Sequence, residues 1–255
     1  MFIILSPSKT MNSEVSTIMP NSLPRSIELS KKLLKIIINF DVLELMKFMK
    51  ISKKLADGVY ESFSNYKFDL SLPQNYAAIS AYTGEVYSGL NAKSYSTEDL
   101  AYAQKSLRIL SGFLGVLRPL DAVIPYRLEM NSRLSTEYGT NLHHFWRNEV
   151  TDLLRTDFEA TGSKYLLNLA SEEYSKVIDY KALNKPIINI DFFEMRNGEQ
   201  KFISFSAKRA RGLLASYVIK NHVTSIDELI KFDDEGYKFM RMNESGLLLT
   251  FVKSV

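Results

Sequence analysis

The sequence predicts a mixed α/β fold of the α+β kind, a central sheet with surrounding helices, and three observations carry that prediction. Apolar residues recur with helical spacing between about residues 25 and 63. The chain opens on a short, wholly apolar run, Phe2-Ile-Ile-Leu5, stopped at once by Ser6-Pro7. The last third holds three runs of strand length and composition, two of them joined by Asn197-Gly198, a strong hairpin signal. At 255 residues, 45% hydrophobic and 24% charged, the chain suffices for one domain over 1–255 with its own core. No repeat or linker divides it.

In order, Phe2–Leu5 reads as a buried strand opening into a polar loop that runs to Pro24. Ile27, Leu33, Leu34, Ile37 and Ile38 give a first helix its apolar face. A second helix over Val42–Met49 and a third over about Ser52–Phe63 follow with a very short break. Tyr76–Tyr82 has strand composition, and Thr97–Arg108 reads as a helix capped by Ser96 or Thr97. Lys105–Met130 is apolar with two glycines, yet it carries Arg118, Asp121, Arg127 and Glu129, which cannot all be buried without partners. A core segment leaving the interior along one wall of a polar cleft reconciles the two. Asn141–Phe158 is an amphipathic helix bearing Trp146, with His143 and His144 on its partly exposed side. Strands over Tyr165–Ala170, Pro186–Phe193 and Lys201–Ser206 come next. A helix over Ala207–Asn221, a short one near Ile226–Ile230 and a last strand over Leu247–Val252 complete the chain.

Composition excludes several chemistries. The absence of cysteine removes thiol peroxidase activity, disulfides and cysteine-ligated zinc or iron–sulfur centres, and it fits a reducing compartment. His143, His144 and His222 lack the i, i+4 spacing of a helical metal site, so no metal and no cofactor is expected. The opening apolar run is far too short for a signal or membrane segment, and a cytoplasmic protein is expected. A formal net charge of +3 is mild, so any affinity for nucleic acid must come from clustered cations.

Three segments cluster them. Ser6-Pro-Ser-Lys-Thr10 follows a strand as a phosphate loop does, but it has no glycines and Pro7 has no N–H to offer, which argues against nucleoside triphosphate hydrolysis. Its hydroxyls with Lys9 fit either an anion site or a solvated turn. In Met46–Ala56, Ile51 and Lys53-Lys54-Leu55-Ala56 fall in register with the helix-hairpin-helix of non-specific DNA-binding proteins, within a helical segment at about 24–64. There a hairpin turns the first amides of its second helix toward a DNA phosphate. Ser52 stands at the N-cap, but Lys50 and Ser52 occupy the places of the loop glycines, so the segment fits a DNA-binding hairpin or an ordinary helix pair. Ser206-Ala-Lys-Arg-Ala-Arg-Gly212 reads as a helix opening with Lys208, Arg209 and Arg211 against the helix dipole. A docked anion accounts for that arrangement; so does pairing of Arg211 with Glu129 or Asp191. In the central stretch Arg127 and Glu129 share one side of an extended segment beside Tyr126, fitting either acid–base work or an ion-pair network.

Ile4-Leu-Ser-Pro-Ser-Lys-Thr10, Ile51-Ser-Lys-Lys-Leu-Ala56, Gly84-Glu-Val-Tyr-Ser-Gly-Leu90 and Leu107–Asp121 together resemble the bacterial peroxide-stress protein YaaA family. Pro125-Tyr-Arg-Leu-Glu-Met130, Asn168–Tyr174 and Ser204–Gly212 extend the resemblance nearly end to end. It implies a cytoplasmic protein that limits iron-driven damage under hydrogen peroxide, with a basic cleft, a helix-hairpin-helix-like element and binding to double-stranded DNA. It implies no established catalytic activity and names no protein partner. The expected DNA- or anion-binding residues are Lys9, Lys50, Ser52, Lys53, Lys54, Arg118, Arg127, Ser206, Lys208, Arg209 and Arg211, with Glu129 and Tyr126 the candidates for chemistry. The alternatives are an enzyme acting on an anionic substrate in the same cleft, with DNA one candidate, and a direct iron sequestrant, which the ligand set disfavours.

Overall fold

The computed structural model describes residues 1–12 and 16–254, so positions 13–15 of the predicted loop to Pro24 lie outside the described residues. Strand β1 (Phe2–Leu5) leads to helices α1 (Ile27–Ile37), α2 (Val42–Met49) and α3 (Lys53–Ser64). A short segment follows with β2 (Tyr76–Ala77), α4 (Ala78–Ala81), α5 (Glu85–Leu90) and α6 (Thr97–Ser106). Next come β3 (Leu107–Ser111), β4 (Gly115–Leu117), β5 (Ala122–Val123) and the long α7 (Leu142–Thr161). The last third comprises β6 (Leu166–Leu169), α8 (Glu172–Ser175), α9 (Tyr180–Leu183), β7 (Ile187–Arg196) and β8 (Glu199–Lys201). Helices α10 (Ser204–Lys220) and α11 (Ile226–Leu229) and strands β9 (Tyr237–Met242) and β10 (Leu248–Ser254) close it.

Eight strands form one mixed sheet in the order β4-β3-β1-β6-β7-β10-β9, with β8 added to β7. The pairs β3–β1, β1–β6, β6–β7 and β7–β10 are parallel, and β4, β8 and β9 run antiparallel to their neighbours. A parallel strand in mid-sheet is covered on both faces, which is why β1 reads as unbroken Phe-Ile-Ile-Leu with every residue fully buried. Side-chain caps mark two of the predicted helix starts. Asp41 with Glu44 and Ser96 with Asp99 form reciprocal capping boxes at α2 and α6, each worth about 1 kcal/mol. Gly115, at φ 72°, closes the β3–β4 turn and leaves no room for a Cβ beside the Trp146 ring. Helices α5 and α10 pack at glycines: a Cβ on Gly89 or Gly212 would overlap the backbone of the other helix.

The observed bounds correct three expectations. Only Tyr76–Ala77 of the predicted Tyr76–Tyr82 strand pairs with a neighbour, and Ala78–Ala81 turns helical instead. The predicted Lys201–Ser206 strand ends at Lys201, opposite Glu194, and the chain turns into a helix from Ser204. Helix α10 then starts at Ser204, so Lys208, Arg209 and Arg211 lie beyond its first turn and do not open it. Ser52 precedes α3 as expected, but its side chain makes no capping hydrogen bond. Among the described residues no helix is long and apolar enough to cross a membrane.

Candidate functional site

The chain leaves β1 for β3 on one side and reaches β6 on the other, so the strand order reverses at β1. In open α/β sheets the crevice outside the carboxyl ends of the strands at such a reversal is where ligands bind. The loops after β1 and β6 are tied together there. Ser6 Oγ accepts from the Ser171 N–H at 2.8 Å and donates to Ser171 Oγ at 3.2 Å, while the Tyr87 hydroxyl donates to the Ser6 carbonyl at 2.9 Å.

The segment after β5 returns to this crevice and supplies its charges. Glu129 bridges two cations, one from the loop after β1 and one from its own segment: Lys9 Nζ lies 2.7 Å from Oε2, and Arg127 Nη2 donates to Oε1 at 2.9 Å. Arg127 Nη1 also donates to the Lys9 carbonyl at 3.4 Å, whereas its buried Nε donates to no described residue. Beneath them the Tyr126 hydroxyl sits 2.7 Å from that of Tyr82 and 2.5 Å from Ser111 Oγ. Ser111 Oγ in turn accepts from the amides of Phe113 and Leu114. Burial pushes the Tyr126 phenol up to about 12, against the opposing effect of its bonds to Ser111 and Tyr82, so it is neutral near pH 7 and serves as a hydrogen-bonding group. Pro7, Ser8, Lys9, Tyr126–Glu129 and Tyr174 enclose a recess whose free volume, about 10 Å³, is at the limit for one water.

Arg127 and Glu129 also line a larger groove of about 480 Å³, together with Lys47, Phe48, Met49 and Lys50 from the end of α2 and Asn131, Ser132 and Arg133 from the segment that follows. Lys47 and Lys50, three apart, emerge on one side of α2. Lys50 ends that helix in the left-handed region (φ 54°, ψ 50°), the conformation a loop glycine would adopt, and its amide donates to the Met46 carbonyl. Three residues thus join α2 to α3. The first α3 amide with an acceptor in its own turn is that of Ala56, to the Ser52 carbonyl, which leaves the amides of residues 53–55 without one. Lys53 pairs with Asp57 at 3.0 Å, and Lys54 is exposed.

Of the expected cations, then, Arg127 and Lys50 line one groove with Glu129, Lys9 and Tyr126 line the adjoining recess, and Ser52, Lys53 and Lys54 follow at the start of α3. The others are elsewhere. Arg118 follows β4, whose antiparallel course carries it back beside Arg108, and it is held by Asp121 at 2.7 Å and by the Leu23 carbonyl. Ser206 donates to Glu194 and holds that carboxyl below the usual range. Arg209 pairs with Glu235 and donates to Ser88. Burial lowers the Arg211 guanidinium below its usual range, and the charge of Asp191 acts against that. Lys208 is exposed. Sequence reasoning missed Lys47 and Arg133; the i, i+3 spacing of Lys47 and Lys50 was the available signal. Among the described residues no cluster of three or more His, Asp or Glu is arranged to hold a metal.

A family model described as "Peroxide stress protein YaaA" matches residues 1–243. A "UPF0246 protein" of Aliivibrio fischeri (strain ATCC 700601 / ES114) is 39% identical over 254 residues, covering 98% of this chain and 97% of its own. One from Saccharophagus degradans is 40% identical over 256 residues, with 99% of each chain covered. Another from Shewanella halifaxensis is 40% identical over 240 residues, covering 94% and 93%.

Proposed function

The chain belongs to the peroxide stress protein YaaA family, and on that premise we propose that it protects cells from peroxide by binding double-stranded DNA without sequence preference. The observation that carries the reading is the groove between the α2 end and the Arg127–Arg133 segment, where Lys47, Lys50, Arg127 and Arg133 face a single carboxylate, Glu129. A phosphate backbone complements such a groove, and the open amides at the start of α3 add donors of the kind that bind phosphate. Nothing in this reading requires a base edge to be recognised. Neutralising phosphates releases condensed cations from DNA. Iron(II) held there is one of them, which links DNA binding to less iron-driven damage at the duplex.

The test is titration of a labelled duplex with the protein and with a variant carrying Lys47→Glu, Lys50→Glu and Arg133→Glu. Micromolar binding indifferent to sequence and lost in the variant is expected. Equal binding by the two proteins would remove the groove from the account.

A further inference from the structure

The Lys9–Glu129–Arg127 bridge has the form of an occupied anion site whose anion belongs to the protein. The Lys9 half of this bridge contributes little to the fold. The Lys9 side chain is 61% exposed, and exposed pairs contribute about 0–1 kcal/mol. Donors are left over: Arg127 Nε is buried with no acceptor among the described residues, and the Lys9 ammonium has three protons for one bonded carboxylate. Ser8 Oγ, which also lines the recess, is engaged among the described residues with neighbouring Thr10. The recess has no space for a ligand while Glu129 is in place, but the adjoining groove has ample space for that side chain to swing into.

From this geometry we infer that the recess is a seat for a terminal phosphate, a phosphomonoester bound by Lys9 and Arg127, and that Glu129 is a built-in counter-ion which the ligand displaces. A monoester is singled out for two reasons. Near pH 7 it carries about 1.5 to 2 negative charges, enough to outcompete one carboxylate, where a diester carries one. A blind recess also admits the end of a chain, whereas a diester must enter with a substituent on each side. The seat stands apart from the duplex reading; only a preference for DNA ends rests on it.

Inorganic phosphate is titrated into the wild-type protein, E129Q and the double variant K9M/E129Q by calorimetry, with thermal unfolding to verify that each is folded. Removing a like charge from the seat should tighten phosphate binding by about ten-fold or more in E129Q, and the double variant should not bind. Equal affinity in all three folded proteins overturns the inference. A second arm compares duplexes of one sequence bearing a 5′-phosphate or a 5′-hydroxyl. Preference for the phosphorylated end in E129Q identifies DNA termini as the source. Saturable phosphate binding by E129Q with no duplex binding upholds the seat, assigns it to free phosphomonoesters and counts against the duplex reading alone.

Discussion

Neutralising the two lysines at the end of α2 gives the sharpest test of how the groove works. Lys47→Gln removes one charge, and Lys50→Asn removes another while supplying a side chain that tolerates the left-handed backbone at φ 54°. Lys47, Lys50, Arg127 and Arg133 line the groove, so four phosphate contacts are the most it can make through these side chains. For duplex DNA the logarithm of affinity falls with the logarithm of salt at about −0.9 per contact, giving a slope of about −3.6 for the wild type and about −1.8 for the double variant. Between about 50 and 200 mM salt, those slopes correspond to losses of roughly 150-fold and roughly 12-fold. Fluorescence anisotropy of a labelled duplex across that range reads both slopes directly. A double variant that keeps the wild-type slope would refute the reasoning, because the lysines would then contact no phosphate.

Two further predictions concern the frame that holds the site. Asp157 accepts from Arg25 at 2.8 and 2.6 Å and from Arg108 Nε at 2.6 Å, so Asp157→Ala leaves Arg108, only 5% exposed, without its counter-ion. A loss of about 3–5 kcal/mol in urea unfolding is expected. Burial acts to raise the Asp157 pKa, but the bonds from Arg25 and Arg108 outweigh it and the carboxyl lies below its ordinary value. Its contribution is therefore complete above the unfolded value of about 3.9 and is lost as pH falls through the lower folded value; the variant should lack that part of the acid transition. Gly212→Ala should cost at least about 1–3 kcal/mol in a thermal melt, since the new methyl meets the Val86 carbonyl on α5 and backbone cannot step aside as a side chain does.

Much of the frame was legible because its signals are local. The predicted α2 bounds, Val42–Met49, are the observed ones, and Asn197-Gly198 forms the β7–β8 turn with both residues at positive φ. Tyr76–Tyr82 misled because aromatic and small apolar residues suit a strand, yet β5 offers it only two partners. Phe202 and Phe205 misled likewise: their composition suits a strand, but both are exposed beside the start of α10. The charges were harder. Arg118 looks like a neighbour of Arg127 in sequence, but an antiparallel strand sends the two to different ends of the sheet. Glu129 and Lys9 are far apart in sequence, and only the return of the chain to the end of β1 makes them partners. Pairings of that range leave no periodicity to read.

The position of β1 has a consequence for synthesis. Its flanking strands begin at Leu107 and Leu166, so an apolar segment translated before either is sealed on both sides only after some 160 further residues have been made. At about 5–20 residues per second, that leaves it without its second neighbour for roughly 8–30 s on the ribosome. Reordering the chain so that β1 follows β6 would shorten the wait to the time needed to make that strand.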